Sequence, residues 1–178
     1  ANDKVDLGNG LPKYTFGFNF TLGYKGFDLS ANFTGAAGFQ IAQSYRDPSG
    51  SQGNYSHRIL GRWTGEGTTN EMPRVTYGDV GNWLFSDLYL QDGDYIRLQN
   101  LTLGYDFKKL ISWKGLSKLR LYFQVQNLFT LTKYDGMDPE IGSYNGTDGN
   151  SSDSWVSGVD MGYYPHPRTF IVGVNVAF

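Results

Sequence analysis

The segment R-T-F-I-V-G-V-N-V-A-F at 168–178 alternates strictly between two kinds of side chain. One face carries Phe170, Val172, Val174, Val176 and Phe178. A period of two over this length predicts a β-strand with one apolar face and one small or polar face. Such a strand rises roughly 36 Å, or about 25 Å when tilted, which matches the apolar band of a transmembrane β-barrel. We therefore interpret it as the closing strand of such a barrel.

The same alternation predicts four more long strands. They are expected near 13–24, 27–37, 95–107 and 119–131, and the closing strand near 168–178. Lys25 and Gly26 form a tight turn, which makes the first two strands a hairpin. Arg97 and Gln99 fall on the apolar face of the third strand and interrupt its pattern. Either a β-bulge shifts the phase there or these residues lie above the apolar band.

The predicted connections alternate in length. Residues 25–26 and 108–118 are short connections, whereas 38–94 and 132–167 are long and rich in small polar residues and aromatic residues. Bacterial outer-membrane barrels have short periplasmic turns and long extracellular loops. We therefore expect the loops near 38–94 and 132–167 to be extracellular and the C-terminus to be periplasmic.

The alternative is a soluble β-sandwich or lipocalin-like barrel, whose apolar faces would point into a core. Predicted strands of about twelve residues, against a usual five or six, favour the membrane barrel. Five strands cannot close such a barrel, and an open edge in lipid would leave backbone groups unpaired. The predicted fold is therefore all-β: about five C-terminal strands of a larger transmembrane antiparallel barrel, paired with strands outside this sequence.

Composition and motifs argue against several other classes. The formal net charge of −2 gives no general attraction to nucleic acid, and the absence of cysteine excludes disulfides and thiolate metal sites. His57 and His166 lack the spacing of a catalytic or metal site, so we predict no enzyme activity, no cofactor and no metal. Residues 1–6 lack the regions of a signal peptide, so we expect a processed chain or a fragment of an exported protein.

Several segments carry a family resemblance. D-G-D-Y-I-R-L-Q-N-L-T-L-G-Y-D-F at 92–107 resembles a motif near the end of SusC-like TonB-dependent transporters. The segments at 12–30, 62–66, 119–140 and 164–170 are similar to other parts of the same family and follow in the same order. His166-Pro167 departs from the simpler proline-arginine junction that is more common there.

The resemblance implies a 22-stranded barrel with an N-terminal plug and a TonB box, neither of which lies in this chain. It also implies a SusD-like surface lipoprotein as a lid, contact with membrane lipid and lipopolysaccharide, and coupling to TonB through an upstream segment. Such transporters import oligosaccharides or peptides. The alternatives are a structural or adhesive barrel that does not transport, or a soluble β-sheet binding module.

Aromatic loop residues and polar strand residues are the candidate substrate contacts. Flat rings can stack on sugars or hold peptides, while amides and charged groups bond hydroxyls or backbone. The candidates are Trp63, Trp83, Trp155, Tyr45, Tyr144, Arg120, Tyr122, Gln124 and Gln126. The alternative role for each loop ring is packing within the loops or against the lipoprotein.

Overall fold

The computed structural model describes residues 5–44, 57–75, 86–111, 113–141 and 157–178. Five long strands are present: β1 (Tyr14–Tyr24), β2 (Phe27–Ala37), β5 (Tyr95–Asp106), β6 (Lys118–Thr132) and β8 (Thr169–Ala177). Three short strands are β3 (Gln40–Gln43), β4 (Leu90–Asp92) and β7 (Val159–Asp160). The long strands form one antiparallel sheet in the order β1-β2-β5-β6-β8, and the short strands form a second sheet in the order β4-β3-β7.

The two ends of the large sheet differ. We call the end with the connections at 25–26 and 107–117 the turn end, and the end with the connections at 38–94 and 133–168 the loop end. Short 3₁₀ helices lie at His57–Gly61, Asp87–Tyr89 and Phe107–Lys109. Among the described residues, no helix is both long enough and apolar enough to cross a membrane.

One face of the large sheet is apolar because the strand register keeps the apolar positions in phase. One such row consists of Leu22, Leu29, Leu103, Phe123 and Val172. Large side chains on this face are exposed; the exposed fraction is 59% for Phe18 and 71% for Val172. A soluble sandwich would bury this face, but nothing within the described residues covers it. The sheet therefore has the two-faced form of a membrane-barrel wall, whose apolar side faces lipid.

A β-bulge accounts for the interrupted pattern in β5. The pairing with β2 steps from Asn32 opposite Asn100 to Phe33 opposite Leu98, which leaves Gln99 as the additional residue. Leu98 thereby joins the apolar face, and Arg97 lies opposite Thr34 on the other face. The bulge interpretation is confirmed, and the alternative position above the apolar band is wrong for Arg97.

The small sheet lies at the loop end, inside the two segments predicted to be long loops. Ile41 is fully buried in β3 and packs in a cluster with Ala36, Phe39 and Tyr134. The prediction missed these strands because two to four residues are too few to display a period of two. Residues 5–12 run beside this sheet, where the amide of Gln40 donates to the carbonyl of Asn9 over 2.9 Å.

Candidate functional site

The second face of the large sheet is polar, and we call it the polar wall. One row across its five strands consists of Asn19, Asn32, Asn100, Gln126 and Thr169. The neighbouring row consists of Thr21, Ser30, Thr102, Gln124 and Ile171. The Gln124 Nε2 donates to Asn100 Oδ1 over 3.2 Å. The middle of the wall is therefore dominated by uncharged groups that can donate and accept hydrogen bonds, as sugar hydroxyls and peptide groups require.

A bidentate ion pair crosses the wall near the turn end. Arg120 on β6 donates from Nε and Nη2 to the two carboxylate oxygens of Asp28 on β2, over 2.8 and 2.5 Å. Gly104 on the intervening strand β5 lies beneath the pair, since a Cβ there would be 2.5 Å from Asp28 Oδ1 and 2.6 Å from Arg120 Nε. The absence of a side chain at Gly104 is what allows β2 and β6 to be bridged.

Tyr122 also lies flat on the wall. Its ring occupies the space that a Cβ on Gly173 would need, and the Arg120 guanidinium carbon lies 5.0 Å from the ring centroid. This geometry permits a cation–π contact. Of the predicted lumen-facing candidates, Arg120 and Tyr122 thus contact each other, while Gln124 and Gln126 belong to the amide rows.

An ionic cluster around the buried Arg97 and Asp138 anchors two loop segments to the wall at the loop end. Arg97 is 3% exposed and forms an ion pair with Asp138 and a second one with Glu140, the latter over 2.7 Å. Its Nε donates to Thr130 Oγ1 over 2.9 Å. The Nδ1 of His166 lies 3.0 Å from Asp138 Oδ2 and 3.2 Å from Arg97 Nη1. The cluster therefore joins β5 and β6 to the segments around 138–140 and 166.

The Asp138 carboxylate is held in its charged form. Burial opposes that charge, but the amides of Glu140 and His166, the His166 side chain and the Arg97 charge together outweigh it. The net effect lowers the pKa of Asp138 below its ordinary value of 3.8. Removal of Arg97 would leave the Asp138 charge buried without its guanidinium partner, which typically destabilises a protein strongly. Removal of Asp138 would leave Arg97 with Glu140 as its remaining charged partner.

A second buried carboxylate organises the small sheet. Asp160 is fully buried, and it accepts hydrogen bonds from the Tyr134 hydroxyl and from the amides of Gly162 and Tyr163. The amide of Ser44 donates to the Asp160 carbonyl, which adds a bond from the end of β3. The loop end is thus built on two buried acids, each satisfied by donors from different segments.

The structure describes only part of the predicted aromatic set. Trp63 is half-buried, and its amide donates to the Met72 carbonyl over 2.9 Å, which closes the loop between these two residues. The other four loop candidates lie outside the described residues; they are Trp83, Trp155, Tyr45 and Tyr144. Within the described ranges no group of acidic residues and histidines has the arrangement of a metal site.

Sequence reasoning missed the ionic cluster around Arg97. The one available signal was the interrupted alternation at Arg97 and Gln99, because a charged residue in an apolar row indicates either a change of phase or a position above the apolar band. Nothing in the sequence pairs Arg97 with Asp138 or His166, which are 41 and 69 residues away.

Comparison with known proteins points to one class. No protein-family model matches the chain. It is 35% identical to the TonB-dependent receptor P3 of Formosa agariphila, over 99% of this chain and 17% of that receptor. It is 28% identical to the TonB-dependent receptor SusC of Bacteroides thetaiotaomicron, over all of this chain and 17% of SusC. The solved RagAB peptide importer in its closed-closed state shares the fold, with a TM-score of 0.73 and 23% identity over 97% of this chain and 18% of that one.

The fold and the two-faced sheet define a segment of a transmembrane antiparallel β-barrel. The resemblance found in the sequence is also confirmed, because the chain is similar along its whole length to proteins named TonB-dependent receptors, SusC among them. It spans about a sixth of the length of the relatives that it matches, 17–18% in each case.

Proposed function

We propose that this chain forms part of the wall of an outer-membrane transporter that imports a nutrient by TonB-dependent active transport. The main support is the polar wall, a surface of amides and hydroxyls behind an apolar face that spans the same five strands. Such a wall can line a water-filled passage on one side while the other side contacts lipid. The similarity along the whole chain to TonB-dependent receptors supports the same function. The relatives are named as receptors rather than enzymes, and we infer no catalysis here.

Within this proposal the substrate is an oligosaccharide or a peptide. Both expose hydroxyl, amide or carbonyl groups that the rows containing Asn100, Gln124 and Gln126 could bond. The RagAB protein, which shares the fold, is a peptide importer, and its identity to this chain is 23–24%. The two substrate classes therefore have to be separated by measurement.

An uptake experiment tests the transport function directly. The complete transporter is deleted from its bacterium, and uptake of labelled oligosaccharides and labelled peptides is compared with that of the parent strain. We expect uptake of one class to be lost on deletion, to return on complementation and to stop when the proton gradient is collapsed. Uptake that survives the deletion and the loss of the gradient would contradict active import by this protein.

The role of the wall is tested on the complemented strain. Gln124→Ala combined with Gln126→Ala removes two amides from the polar wall, and we expect a raised half-saturation concentration for uptake. The matched control is Leu121→Ile combined with Phe123→Leu on the apolar face of the same strand, which preserves the apolar character of lipid-facing positions. An unchanged half-saturation concentration in the first variant would argue against substrate contact at these amides.

We further propose that a SusD-like surface lipoprotein covers the loop end and that TonB acts through a segment upstream of this chain. Tyr164 at the loop end is 88% exposed and offers a site for a photo-crosslinking amino acid. Leu110 at the turn end is 69% exposed and serves as the control position. We expect the crosslinker at Tyr164 to capture the lipoprotein in intact cells and the one at Leu110 not to do so. In the proposed orientation the loop end is outside the cell and the C-terminus is in the periplasm. The opposite crosslinking pattern would contradict this orientation.

A further inference from the structure

The connection at 107–117 closes the turn end with an unusual mixture of exposed apolar and basic side chains. Leu110 is 69% exposed and Trp113 is 60% exposed. Lys108 and Lys114 belong to the same connection, and Lys114 is also exposed. A connection that served only to link two strands in water would not need exposed leucine and tryptophan.

The position of Trp113 shows on which side of the sheet this connection lies. Its ring packs edge-on against Phe178, with centroids 6.4 Å apart, and Phe178 continues the apolar row of β8. Lys108 Nζ donates to the Trp113 carbonyl over 2.8 Å and thereby fixes the lysine beside the tryptophan. The connection is therefore folded toward the lipid-facing side of the sheet, where aromatic rings occupy the membrane interface.

The neighbouring hairpin adds a third lysine on the same side. Lys25 Nζ lies 5.2 Å from the ring centroid of Tyr24, which belongs to the apolar face. Phe27, Tyr105 and Phe107 extend the aromatic band between the two connections, with successive ring centroids 4.4 and 4.8 Å apart. Lysine ammonium groups thus lie beside aromatic side chains along the turn end.

The acidic residues of this end lie on the opposite face. Asp28 is paired with Arg120 on the polar wall, and Asp106 is opposite Arg120 in the register and caps the amide of Lys108. Within the described part of the chain, Lys25, Lys108 and Lys114 form no ion pair with a carboxylate. Among the described residues, the lipid-facing rim of the turn end therefore carries lysines that no carboxylate pairs with.

We propose that this rim is a binding surface for the phosphate groups of anionic phospholipids, formed by Lys25, Lys108 and Lys114 beside the exposed side chains of Leu110 and Trp113. The leucine and tryptophan enter the boundary of the acyl chains, and the ammonium groups bond phosphate oxygens at the headgroup level. The inference rests on the membrane-barrel fold and adds a lipid preference to the proposed transporter. A lysine near an anionic membrane surface contributes roughly a fivefold gain in association.

Quenching of Trp113 fluorescence by brominated lipids measures which lipid lies at the rim. The complete transporter is reconstituted in mixed phosphatidylglycerol and phosphatidylcholine bilayers, with bromine on one lipid or the other. The difference between the parent protein and Trp113→Phe isolates the signal of Trp113. We expect brominated phosphatidylglycerol to quench it several-fold more than its bulk share predicts, and the excess to shrink at high salt. Equal quenching by both lipids, or by neither, would overturn the proposal.

Charge removal at the two ends provides the matched comparison. Lys25→Gln, Lys108→Gln and Lys114→Gln together should abolish the preference, and Lys25→Gln with Lys114→Gln, which keeps the Lys108 bond, should reduce it. The control is Lys13→Gln, Lys133→Gln and Arg168→Gln at the loop end, which removes the same charge from exposed positions. A preference that survives the first triple variant, or is lost equally in the control, would contradict the assignment.

TonB-dependent uptake is measured on the same variants. Normal uptake without any lipid preference would overturn this inference alone. A lipid preference in a protein that takes up no substrate would contradict the proposed transport function and leave the lipid surface in place.

Discussion

A pair of adjacent arginine substitutions in β1 tests which face of the sheet contacts lipid. Phe18 is 59% exposed on the apolar face, between Tyr14 and Tyr24 at the strand ends. Asn19 is also exposed but belongs to the polar wall, opposite Asn32. Phe18→Arg therefore places a charge in the middle of the lipid-facing band, whereas Asn19→Arg places the same charge on the side assigned to water.

The expected cost follows from the depth of the position. Phe18 is four residues from Tyr14 and six from Tyr24, which puts it near the middle of the strand. Arginine near the bilayer midplane on the lipid face of a barrel costs about 2–4 kcal/mol. Phe18→Arg also removes the ring contact with Phe33, whose centroid is 6.2 Å away. We expect Asn19→Arg to change the free energy of unfolding by less than about 1 kcal/mol, as a polar surface substitution usually does.

Unfolding of the complete transporter in lipid bilayers by urea, followed by heat-modifiable electrophoretic mobility, measures both variants. The predicted result is a lower urea midpoint for Phe18→Arg than for Asn19→Arg, with the parent protein close to the latter. Equal midpoints for the two variants, or a lower midpoint for Asn19→Arg, would refute the assignment of the two faces.

Two further predictions concern groups that the wall holds in place. Gly104→Ala should cost about 1–3 kcal/mol because its Cβ would displace the Asp28–Arg120 pair, whereas Gly23→Ala should be tolerated because its nearest atom would be 4.0 Å away. Equal urea midpoints for these variants would contradict the close packing over Gly104. Asp138→Asn should destabilise the protein by roughly 3 kcal/mol at pH 7, since it removes the more buried of the two carboxylates that pair with the buried Arg97. The pKa of Asp138 is lowered from 3.8 in the folded state, so the stabilisation by this carboxylate is present above about pH 4 and is lost as the pH falls through the folded pKa. The difference between parent and Asp138→Asn midpoints should therefore shrink below about pH 4, and a constant difference would argue against this carboxylate as the titrating group.

The long strands were predictable because each has enough residues to display a period of two. In β1, aromatic residues and leucine alternate with small and polar residues from Tyr14 to Tyr24, and this pattern alone defines both faces. The bulge at Gln99 was predictable only as one of two alternatives, because a charged residue in an apolar row can be accommodated either by a bulge or by a position above the apolar band. Its register in the sheet decided between them.

The loop end was less accessible to sequence reasoning. The strands β3, β4 and β7 are two to four residues long, and their formation depends on tertiary contacts such as the burial of Ile41. The polar contacts of Arg97, Asp138 and Asp160 join segments distant in sequence, so no local pattern identifies the partners. The candidate residues of the polar wall followed from the alternation, but the ion pair of Arg120 with Asp28 depends on the space above Gly104.

Nitroxide scanning of β1 in the complete transporter tests the two-faced barrel wall most directly. Single cysteines at 14–24 are spin-labelled in bilayers, and each label's collision rates with oxygen and with a water-soluble nickel chelate are measured. Oxygen concentrates in lipid, so we predict higher collision rates with oxygen at even-numbered positions and higher collision rates with the nickel chelate at odd-numbered ones. A scan without this period of two, or with the two faces reversed, would contradict the membrane-barrel wall on which the proposed transport function rests.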